Sequence, residues 1–479
     1  MLKKRPPIIA VMGHVDHGKT TLLDAIRKTD VATREAGGIT QAIGAYEITH
    51  GSQPITFIDT PGHEAFKAMR ACGAEGADLA ILVVASDDGV KPQTKEAIEC
   101  VNKAKTPFIV AINKTDLPGA DIEKTKNDLA QNDVYLEGYG GNVSWHAISA
   151  KTGEGINELL DLVVLATDLE ELTCDNEACS EGIVLRSMRD SRRGVVVSGI
   201  IKNGALKIGL AIATQTAKGK IKILENTAGD QVSELAPSAP FLILGFEDLP
   251  KVGETFYAGE NEKEIQEKAA HSAESKETRN QTSQGNPNDS LKVILKADEY
   301  ASLEALKGIM EKTKTRDAKI YIADASVGNI TENDIKNAGS VNAMIVGFKT
   351  KVDKAAENLA RVQKVELFVS NIIYELEKTT KAHLEKNYRK PTGILEVLKV
   401  FGERNERGQI IGGKVTEGII KNKSTFEITK DGELVGNGKI INLQTEKQNA
   451  GEVGTEKECG MLVECDSPIQ PGNKLFFFE

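Results

Sequence analysis

An eight-residue segment near the start of the chain restricts the fold more than any other feature. Gly13 to Thr20 reads GHVDHGKT, which fits the pattern G-x-x-x-x-G-K-[S/T], and it lies between the apolar run Ile8 to Met12 and a segment with helical periodicity. In this context the glycines let backbone N–H groups curl around phosphate oxygens, and the start of the helix adds positive potential. The segment predicts a phosphate-binding loop; the alternative is a glycine-rich turn that binds nothing.

Each residue type in this loop has an expected role. Lys19 is expected to reach the β- and γ-phosphates of a nucleoside triphosphate, and the Thr20 hydroxyl is expected to ligate Mg²⁺. For His14 and His17, backbone geometry is expected to matter more than imidazole chemistry. The nucleotide-binding residues predicted here are Gly13, His14, Val15, Asp16, His17, Gly18, Lys19, Thr20 and Thr21.

A second motif, Asn113-Lys114-Thr115-Asp116, follows the β-rich run Phe108 to Ile112 and indicates which base is bound. A carboxylate at Asp116 can accept two hydrogen bonds from guanine, whereas adenine offers no such donor pair. The sequence therefore predicts a guanine nucleotide; the alternative is a turn with a helix cap. The residues expected to contact it are Asn113, Lys114, Asp116, Ser149, Ala150 (through its N–H to guanine O6) and Lys151.

Two further segments lie between these motifs. In Asp59-Thr60-Pro61-Gly62, Asp59 is placed to hold Mg²⁺ through a water and the Gly62 N–H to meet the γ-phosphate, although an acidic strand end and a turn is the alternative. Thr40, in GGIT, is expected to be a second Mg²⁺ ligand; a capped glycine-rich loop is the other interpretation.

His63 stands where small GTPases place a water-positioning residue, so it is the predicted catalytic residue, with a plain surface histidine as the alternative.

The order of strand-like and helix-like segments predicts a multidomain chain of α/β plus β class. Alternating short apolar runs and amphipathic segments come first, then short strands with turn signals, then a stretch with only four apolar side chains, and then both patterns again. The pentapeptide GIIKN at 199–203 recurs at 418–422, which favours two copies of one barrel type. The predicted domains are a P-loop GTP-binding domain (1–168), a β-barrel (169–258), a polar linker that is partly helical in its Glu/Lys half (259–290), an α/β domain (291–376), a connecting helix (377–390) and a C-terminal β-barrel (391–479).

Composition excludes several classes of protein. A net charge of −10 over 479 residues argues against nucleic-acid binding by bulk electrostatics alone. No apolar run approaches the length of a membrane span, and no segment reads as a targeting signal, so a cytoplasmic protein without membrane contact is expected. Six cysteines suit a reducing compartment, and Cys174 and Cys179 read as a polar loop with two thiols, with half of a metal site as the alternative.

The segments MGHVDHGKTTLLDAIRKTDVATREAGGITQAIGAYEIT, IDTPGHEAF and NKTD, together with GKVTEGIIKN and Glu458-Cys459-Gly460, resemble bacterial-type translation initiation factor two, without its long N-terminal extension. The resemblance implies a monomeric, GTP-dependent factor that binds initiator formylmethionyl-tRNA on the small ribosomal subunit, promotes joining of the large one, and hydrolyses GTP on that signal through His63. It also implies an apolar gate of Val15 and Ile39, a monovalent cation near Asp16, and a hydrophobic notch for the tRNA end at Cys459 and Gly460.

The last barrel departs from that pattern. Gly413 stands where the family typically has Cys, and Leu443 to Lys447, including Gln444, replaces a basic-aromatic cluster. Residues 391–479 carry 11 Lys and Arg against 14 Asp and Glu, so they would read a small acyl group rather than bind RNA by charge. Cys459 and Cys465 are alternatively core thiols on adjacent strands. Two other functional classes are a GTP switch without useful turnover and a P-loop enzyme of small-molecule metabolism.

Overall fold

The fold is described from a computed structural model of the 479-residue chain. The description covers residues 2–27, 44–61, 66–271, 290–314, 319–387, 391–405, 408–430, 433–445 and 448–478. The chain forms two compact units that divide mainly between Thr380 and Lys381, and each is described by itself.

The first domain is an α/β sandwich. Its sheet has the strand order β3-β4-β2-β5-β6-β7, and β3 is antiparallel while the other pairings are parallel. The elements up to residue 169 are β1 (Lys3–Lys4), β2 (Ile8–Gly13), α1 (Lys19–Arg27), β3 (Gly44–His50), β4 (Gln53–Asp59), α2 (Lys67–Gly76), β5 (Leu79–Ala85), α3 (Pro92–Ala104), β6 (Phe108–Asn113), α4 (Ile122–Ala130), β7 (Trp145–Ala147) and α5 (Ile156–Leu169).

Both faces of this sheet are covered because its central strands β2 and β5 are apolar and buried along their whole length. Ile8, Ala10 and Met12 of β2 contribute to one core layer, and Ile9 and Val11 contribute to the other. Period-two alternation sends successive side chains to opposite faces, so an unbroken apolar run needs helices on both sides. The predicted α/β domain is confirmed. The edge strand β3 was missed, although its alternating side chains before a Gly-Ser turn carry a strand signal.

The second domain is a closed barrel with the order β10-β15-β13-β12-β16-β9, as expected from its turn-rich sequence. The elements are β8 (Thr173–Cys174), β9 (Ser180–Asp190), β10 (Gly194–Asn203), β11 (Leu206–Lys207), β12 (Ala211–Ala213), β13 (Lys218–Glu225), β14 (Glu234–Leu235), β15 (Pro240–Phe246), β16 (Thr255–Gly259) and α6 (Glu262–His271). Helix α6 lies in the Glu/Lys half of the predicted 259–290 linker, where a partial helix was expected. Its Ile265 and Ala269 are buried against Ala213 of the barrel, so this half is packed on the barrel and is not a free linker. The later part, 272–289, lies outside the described residues.

The third domain is a second α/β sheet with the order β18-β17-β19-β20. Its elements are β17 (Ser290–Ala297), α7 (Tyr300–Lys312), β18 (Lys319–Val327), α8 (Glu332–Val341), β19 (Met344–Phe348), α9 (Lys354–Gln363), β20 (Leu367–Ser370) and α10 (Ile373–Asn387). The predicted connecting helix 377–390 is therefore corrected: α10 begins at Ile373, where Ile373 and Leu376 are already buried.

The C-terminal barrel closes through the β21–β22 hairpin in the order β21-β28-β23-β24-β27-β22. Its strands are β21 (Gly393–Asn405), β22 (Gly408–Lys421), β23 (Thr425–Lys430), β24 (Glu433–Thr445), β25 (Gln448–Asn449), β26 (Glu452–Gly454), β27 (Glu458–Cys465) and β28 (Lys474–Phe478). If β9 and β10 are matched to β21 and β22, both barrels have the same strand order, so the repeat predicted a real duplication of topology. Among the helices in the described part of the chain, none has the length and apolar character needed to cross a membrane.

Candidate nucleotide-binding site

Two glycines of the phosphate loop are required by backbone contacts. Gly13 has φ +142°, and a Cβ there would lie 2.3 Å from the Val83 carbonyl oxygen on β5. Gly18 has φ +86°, and its Cβ would lie 2.3 Å from the Asn113 side-chain nitrogen. Both positions combine a left-handed backbone with a close approach, which only glycine accepts without strain. The loop is therefore pressed against the ends of β5 and β6.

Lys19, the first residue of α1, is held inside this loop. Its Nζ donates a hydrogen bond of 2.6 Å to the His14 carbonyl oxygen, and its side chain is buried. Burial lowers the pKa of Lys19 to about 8, and the nearby Asp59 carboxylate partly opposes the shift. A buried amine at the start of a helix gains most from an anion placed beside it, and this is the expected property of a phosphate-binding lysine.

Asn113 joins the phosphate loop to the base-recognition loops. Its amide nitrogen donates to the His17 carbonyl at 2.8 Å, and its Oδ1 accepts from the Ala150 N–H at 2.9 Å. One buried side chain therefore ties three segments that are far apart in sequence. The expected contact of the Ala150 N–H with guanine O6 stays a prediction, and it requires this N–H to be shared with or released from Asn113.

Asp116 lies exposed at the edge of the same site and is oriented by Ser149. The buried Ser149 hydroxyl donates to Asp116 Oδ1 at 2.7 Å, and it accepts from the Thr152 N–H at 3.2 Å. Lys114 adopts φ +64°, and its carbonyl accepts from Ser86 Oγ at 3.1 Å. These bonds hold the Asp116 carboxylate in place before any base arrives.

The two histidines of the loop lie close together. His17 is fully buried, and burial, reinforced by the nearby His14 and Lys19, lowers its pKa to about 4. Burial also lowers the pKa of His14, whose ring lies edge to face with His17 at 4.9 Å. Both rings are therefore uncharged near neutral pH, which supports the expectation that they shape the loop rather than supply charge.

The remaining predicted residues fall into two groups. Val15, Asp16, Thr20 and Thr21 lie in the loop and the first turn of α1, Lys151 is exposed beside Ala150, and Asp59 ends β4. Thr40, Gly62, His63 and Ile39 lie outside the described residues, so the structure places neither the predicted catalytic residue nor the second Mg²⁺ ligand. Across the described ranges, His, Cys, Asp and Glu side chains form no cluster of three that could hold a metal.

Sequence reasoning missed three residues that support the loop. Gln93 of α3 accepts the Val15 N–H through Oε1 at 3.0 Å. Arg70 of α2 is completely buried, donates to Glu96 Oε2 at 2.5 Å, and donates to the Pro61 carbonyl at 3.3 Å. An arginine among the small residues of MRACGAEG was the available signal, because such a helix packs closely and would bury it.

The predicted tRNA residues lie on β27 of the C-terminal barrel. The Cys459 thiol is 5% exposed and packs in the barrel core, and burial raises its pKa to about 11. Cys465 is also a core thiol. It lies on β27 together with Cys459, so the two thiols are not on adjacent strands as the alternative interpretation expected. Gly460 has no other atom within 4 Å of an added Cβ except the Ile411 carbonyl at that limit, so Gly460 is the residue open to a ligand.

The departure at Gly413 has a structural reason. Gly413 lies opposite Cys459 on the neighbouring strand β22, and a Cβ there would lie 2.4 Å from Leu395 Cδ2 and 2.5 Å from the Glu396 carbonyl oxygen. A cysteine would therefore force strand β21 away. Gln444, opposite Gly460 on β24, donates to Asn449 Oδ1 at 3.0 Å.

Comparison with known proteins identifies three successive regions. The family described as Elongation factor Tu GTP binding domain matches residues 4–168, Elongation factor G domain 2 matches 180–259, and Translation-initiation factor 2 matches 262–381. A Translation initiation factor IF-2 of Thermotoga sp. (strain RQ2) is 40% identical over 495 residues, which cover 100% of this chain and 72% of that protein. The chain belongs to the translation initiation factor IF-2 family.

Other members of the family show the same extent of similarity. The factor of Shouchella clausii is 38% identical over 99% of this chain and 64% of its own length, and that of Persephonella marina is 40% identical over 100% of this chain and 56% of its own length. The chain thus spans roughly half to three-quarters of these curated relatives. The first matched region is a GTP-binding domain, and it contains every nucleotide contact predicted above.

Proposed function

We propose that this chain is a GTP-dependent translation initiation factor that acts on ribosomes in the cytosol. The nucleotide-binding part of this proposal rests on one observation: the Asn113 side chain joins the phosphate loop at His17 to the base loop at Ala150. With Ser149 orienting Asp116, this arrangement presents a carboxylate to guanine and a buried lysine to phosphate. A purine without a donor pair would give the Asp116 carboxylate no hydrogen bonds from the base.

The site fits Mg²⁺ bound together with the nucleotide. Thr20 and Asp59 supply a hydroxyl and a carboxylate, and Mg²⁺ prefers such oxygen ligands completed by water and phosphate rather than a cage made only of protein. When bound, Mg²⁺ would neutralise charge on the phosphates. Thr40 is the further ligand that family resemblance supports. Asp16 has a backbone φ of +65° and an exposed carboxylate in the phosphate loop. This carboxylate supports a monovalent cation beside the loop.

Hydrolysis would depend on a water oriented by His63, in response to the large ribosomal subunit. The Val15 backbone is fixed by Gln93, which supports its role in an apolar gate with Ile39. The C-terminal barrel would bind the end of formylmethionyl-tRNA, and the tRNA would be presented on the small subunit. We further propose that the factor works as a monomer.

One observation favours a second candidate, a ribosome-associated GTPase that does not recognise formylmethionine. Cys459 lies in the barrel core rather than lining an open notch, and Gly413 and Gln444 replace residues that the family typically uses. Of the two predicted tRNA residues, Gly460 is the one with open space around an added Cβ. In this alternative the GTPase cycle on the ribosome would be unchanged, while the charged tRNA would be bound by another factor.

The experiment uses the full chain with labelled GTP, GDP and ATP, and with purified ribosomal subunits. We expect competition by GTP and GDP but not ATP, and hydrolysis only when both subunits are present. His63→Ala should leave GTP binding intact and reduce ribosome-stimulated hydrolysis by about 10²-fold, the scale of a lost positioned group. Filter binding of formylmethionyl-tRNA against methionyl-tRNA separates the two candidates, because only the first prefers the formylated form.

A further inference from the structure

One face of helix α3 contacts two parts of the nucleotide site. Gln93 accepts the Val15 N–H of the phosphate loop at 3.0 Å. Glu96, three residues later and therefore on the same face, binds Arg70 at 2.5 Å. Arg70 in turn donates to the Pro61 carbonyl at 3.3 Å, at the end of the turn that follows β4. The helix therefore contacts the phosphate loop directly and the turn after β4 through Arg70.

The turn after β4 is also held from its other side. The Thr60 hydroxyl, which is completely buried, donates to the Val11 carbonyl of β2 at 2.7 Å. Thr60 fixes the turn to the sheet, and Arg70 fixes the next carbonyl to α2 and α3. The turn begins with Asp59, which ends β4, and leads in sequence to Gly62 and His63. Its position thus sets where the chain enters the segment proposed to meet the γ-phosphate.

The chemistry of Arg70 suits this role better than a packing role. A guanidinium with no exposed surface is costly to bury unless each of its donors finds an acceptor. The planar guanidinium group of Arg70 donates to the Glu96 carboxylate and to the Pro61 carbonyl. A lysine could not hold both acceptors in fixed directions. An apolar side chain of similar volume would fill the space without this desolvation cost.

We propose that Arg70, oriented by Glu96, is a positioning residue for GTP hydrolysis that holds the turn Asp59–Pro61 in register with the phosphate loop. This rests on the proposed function for the reaction itself. Arg70 acts through the Pro61 carbonyl and therefore affects the γ-phosphate side of the site. We expect the guanine and diphosphate contacts, which lie on the phosphate loop and the two base loops, to be affected much less.

The test compares Arg70→Met, Arg70→Lys and the double variant Arg70→Met/Glu96→Leu with the wild-type full chain. Affinities for GDP and for a non-hydrolysable GTP analogue are measured by nucleotide fluorescence, and single-turnover GTP hydrolysis is measured with ribosomes. We expect GDP affinity within about threefold of wild type, a loss of preference for the triphosphate analogue of about tenfold, and a fall in the hydrolysis rate of about tenfold or more. Arg70→Lys, which keeps the charge but not the fork, should be intermediate.

The double variant separates positioning from packing. It replaces the ion pair by apolar side chains of similar volume, so it should unfold at the wild-type temperature and yet keep both kinetic and affinity defects. Wild-type hydrolysis and triphosphate preference in the double variant, or in Arg70→Met, would overturn the proposal. Lys95→Met removes one exposed positive charge from the same helix, and it should behave as wild type.

Failure of the proposed function would look different. If the wild-type chain binds guanine nucleotides but ribosomes do not stimulate hydrolysis, the proposed function fails. The ratio of analogue to GDP affinity in Arg70→Met then decides the role of Arg70 without any turnover. A ratio equal to that of the wild-type chain rejects the role, and a reduced ratio supports it.

Discussion

Arg186 of the first barrel and Glu299 at the start of helix α7 form an ion pair that joins two domains of the larger unit. The Glu299 carboxylate is 1% exposed, while the Arg186 side chain is 37% exposed. The backbones of Glu299 and Met188 form an isolated antiparallel β-bridge, and the Ser302 hydroxyl donates to Glu299 Oε1 at 3.4 Å. The third domain is therefore attached to the barrel through a carboxylate that has lost nearly all contact with water.

Removing the cation should destabilise this attachment. Arg186→Met leaves the Glu299 carboxylate buried without its charged partner, and we expect the free energy of unfolding to fall by about 3 kcal/mol. Adding Glu299→Gln should recover most of the loss, because the second charge is then gone as well. Urea denaturation measures both changes. Arg189→Met, an exposed arginine on the same strand, is the control, and equal effects of the two arginine variants would contradict a special role for Arg186.

The neighbouring Asp298 should make stability depend on pH. Burial, and next the Glu299 charge, raise the pKa of Asp298 to about 6, whereas Lys349 and Arg186 act in the opposite direction. The folded state then binds more protons than the unfolded state between about pH 4 and 6, so the stabilisation is complete at low pH and is lost as the pH rises through 6. Asp298→Asn should be more stable than wild type at pH 7.5 by on the order of 1–3 kcal/mol. Urea unfolding at pH 4 and 7.5 tests this, since a difference that does not change with pH would rule out the titration.

Asp116→Asn should change which base is bound. The asparagine Oδ1 can still accept from Ser149, so the loop keeps its shape, but its amide donor suits a 2-oxo group and opposes the guanine amine. We expect GTP affinity to fall by about 10²-fold or more while xanthosine triphosphate becomes the better ligand. Competition between the two nucleotides measures the switch. Unchanged GTP affinity would remove Asp116 from the base site.

Nucleotide binding should take up a proton at alkaline pH. Because burial lowers the pKa of Lys19 to about 8, its amine is largely neutral at pH 9 without ligand, and a phosphate beside it restores the charge. GDP binding at pH 9 should therefore be accompanied by uptake of about one proton, with none from this group at pH 6.5. Calorimetry in buffers of different ionisation enthalpy gives the number. Lys19→Arg stays charged at both pH values and should lose the uptake; an unaltered uptake would assign the proton elsewhere.

The outer surface at Gly460 offers a test of tRNA binding that does not disturb the core. Because an added side chain there meets open space, Gly460→Leu should keep the barrel folded and block formylmethionyl-tRNA. Cys459→Arg would place a charge in the core instead, so it cannot separate binding from folding. Gly451→Leu, at another open position of the same barrel, is the matched control. Equal binding of the formylated tRNA by both variants would show that Gly460 does not lie in the tRNA-binding surface.

The sequence by itself determined the features that depend on local backbone chemistry. The phosphate loop and the NKTD turn follow from glycines and polar residues at fixed spacing, and the α/β and barrel regions follow from their apolar periodicity. The pentapeptide GIIKN recurs in the second barrel, and both of its glycines are required by a close backbone approach: an added Cβ would lie 2.2 Å from the Ile183 carbonyl at Gly199 and 2.2 Å from the Thr392 carbonyl at Gly418. These constraints act within short segments of the chain, so a sequence pattern can reveal them.

Only the tertiary structure decided which distant residues meet. Arg70 lies nine residues from Pro61 and 26 from Glu96, and Glu299 lies 113 residues from Arg186. At these separations no local sequence pattern predicts the contacts. Barrel closure also decided that Cys459 faces inward and Gly460 outward, because strand alternation fixes that they differ but not which one enters the core. Helix α6 became part of a domain for the same reason, since its few apolar side chains are buried only where the barrel supplies a surface.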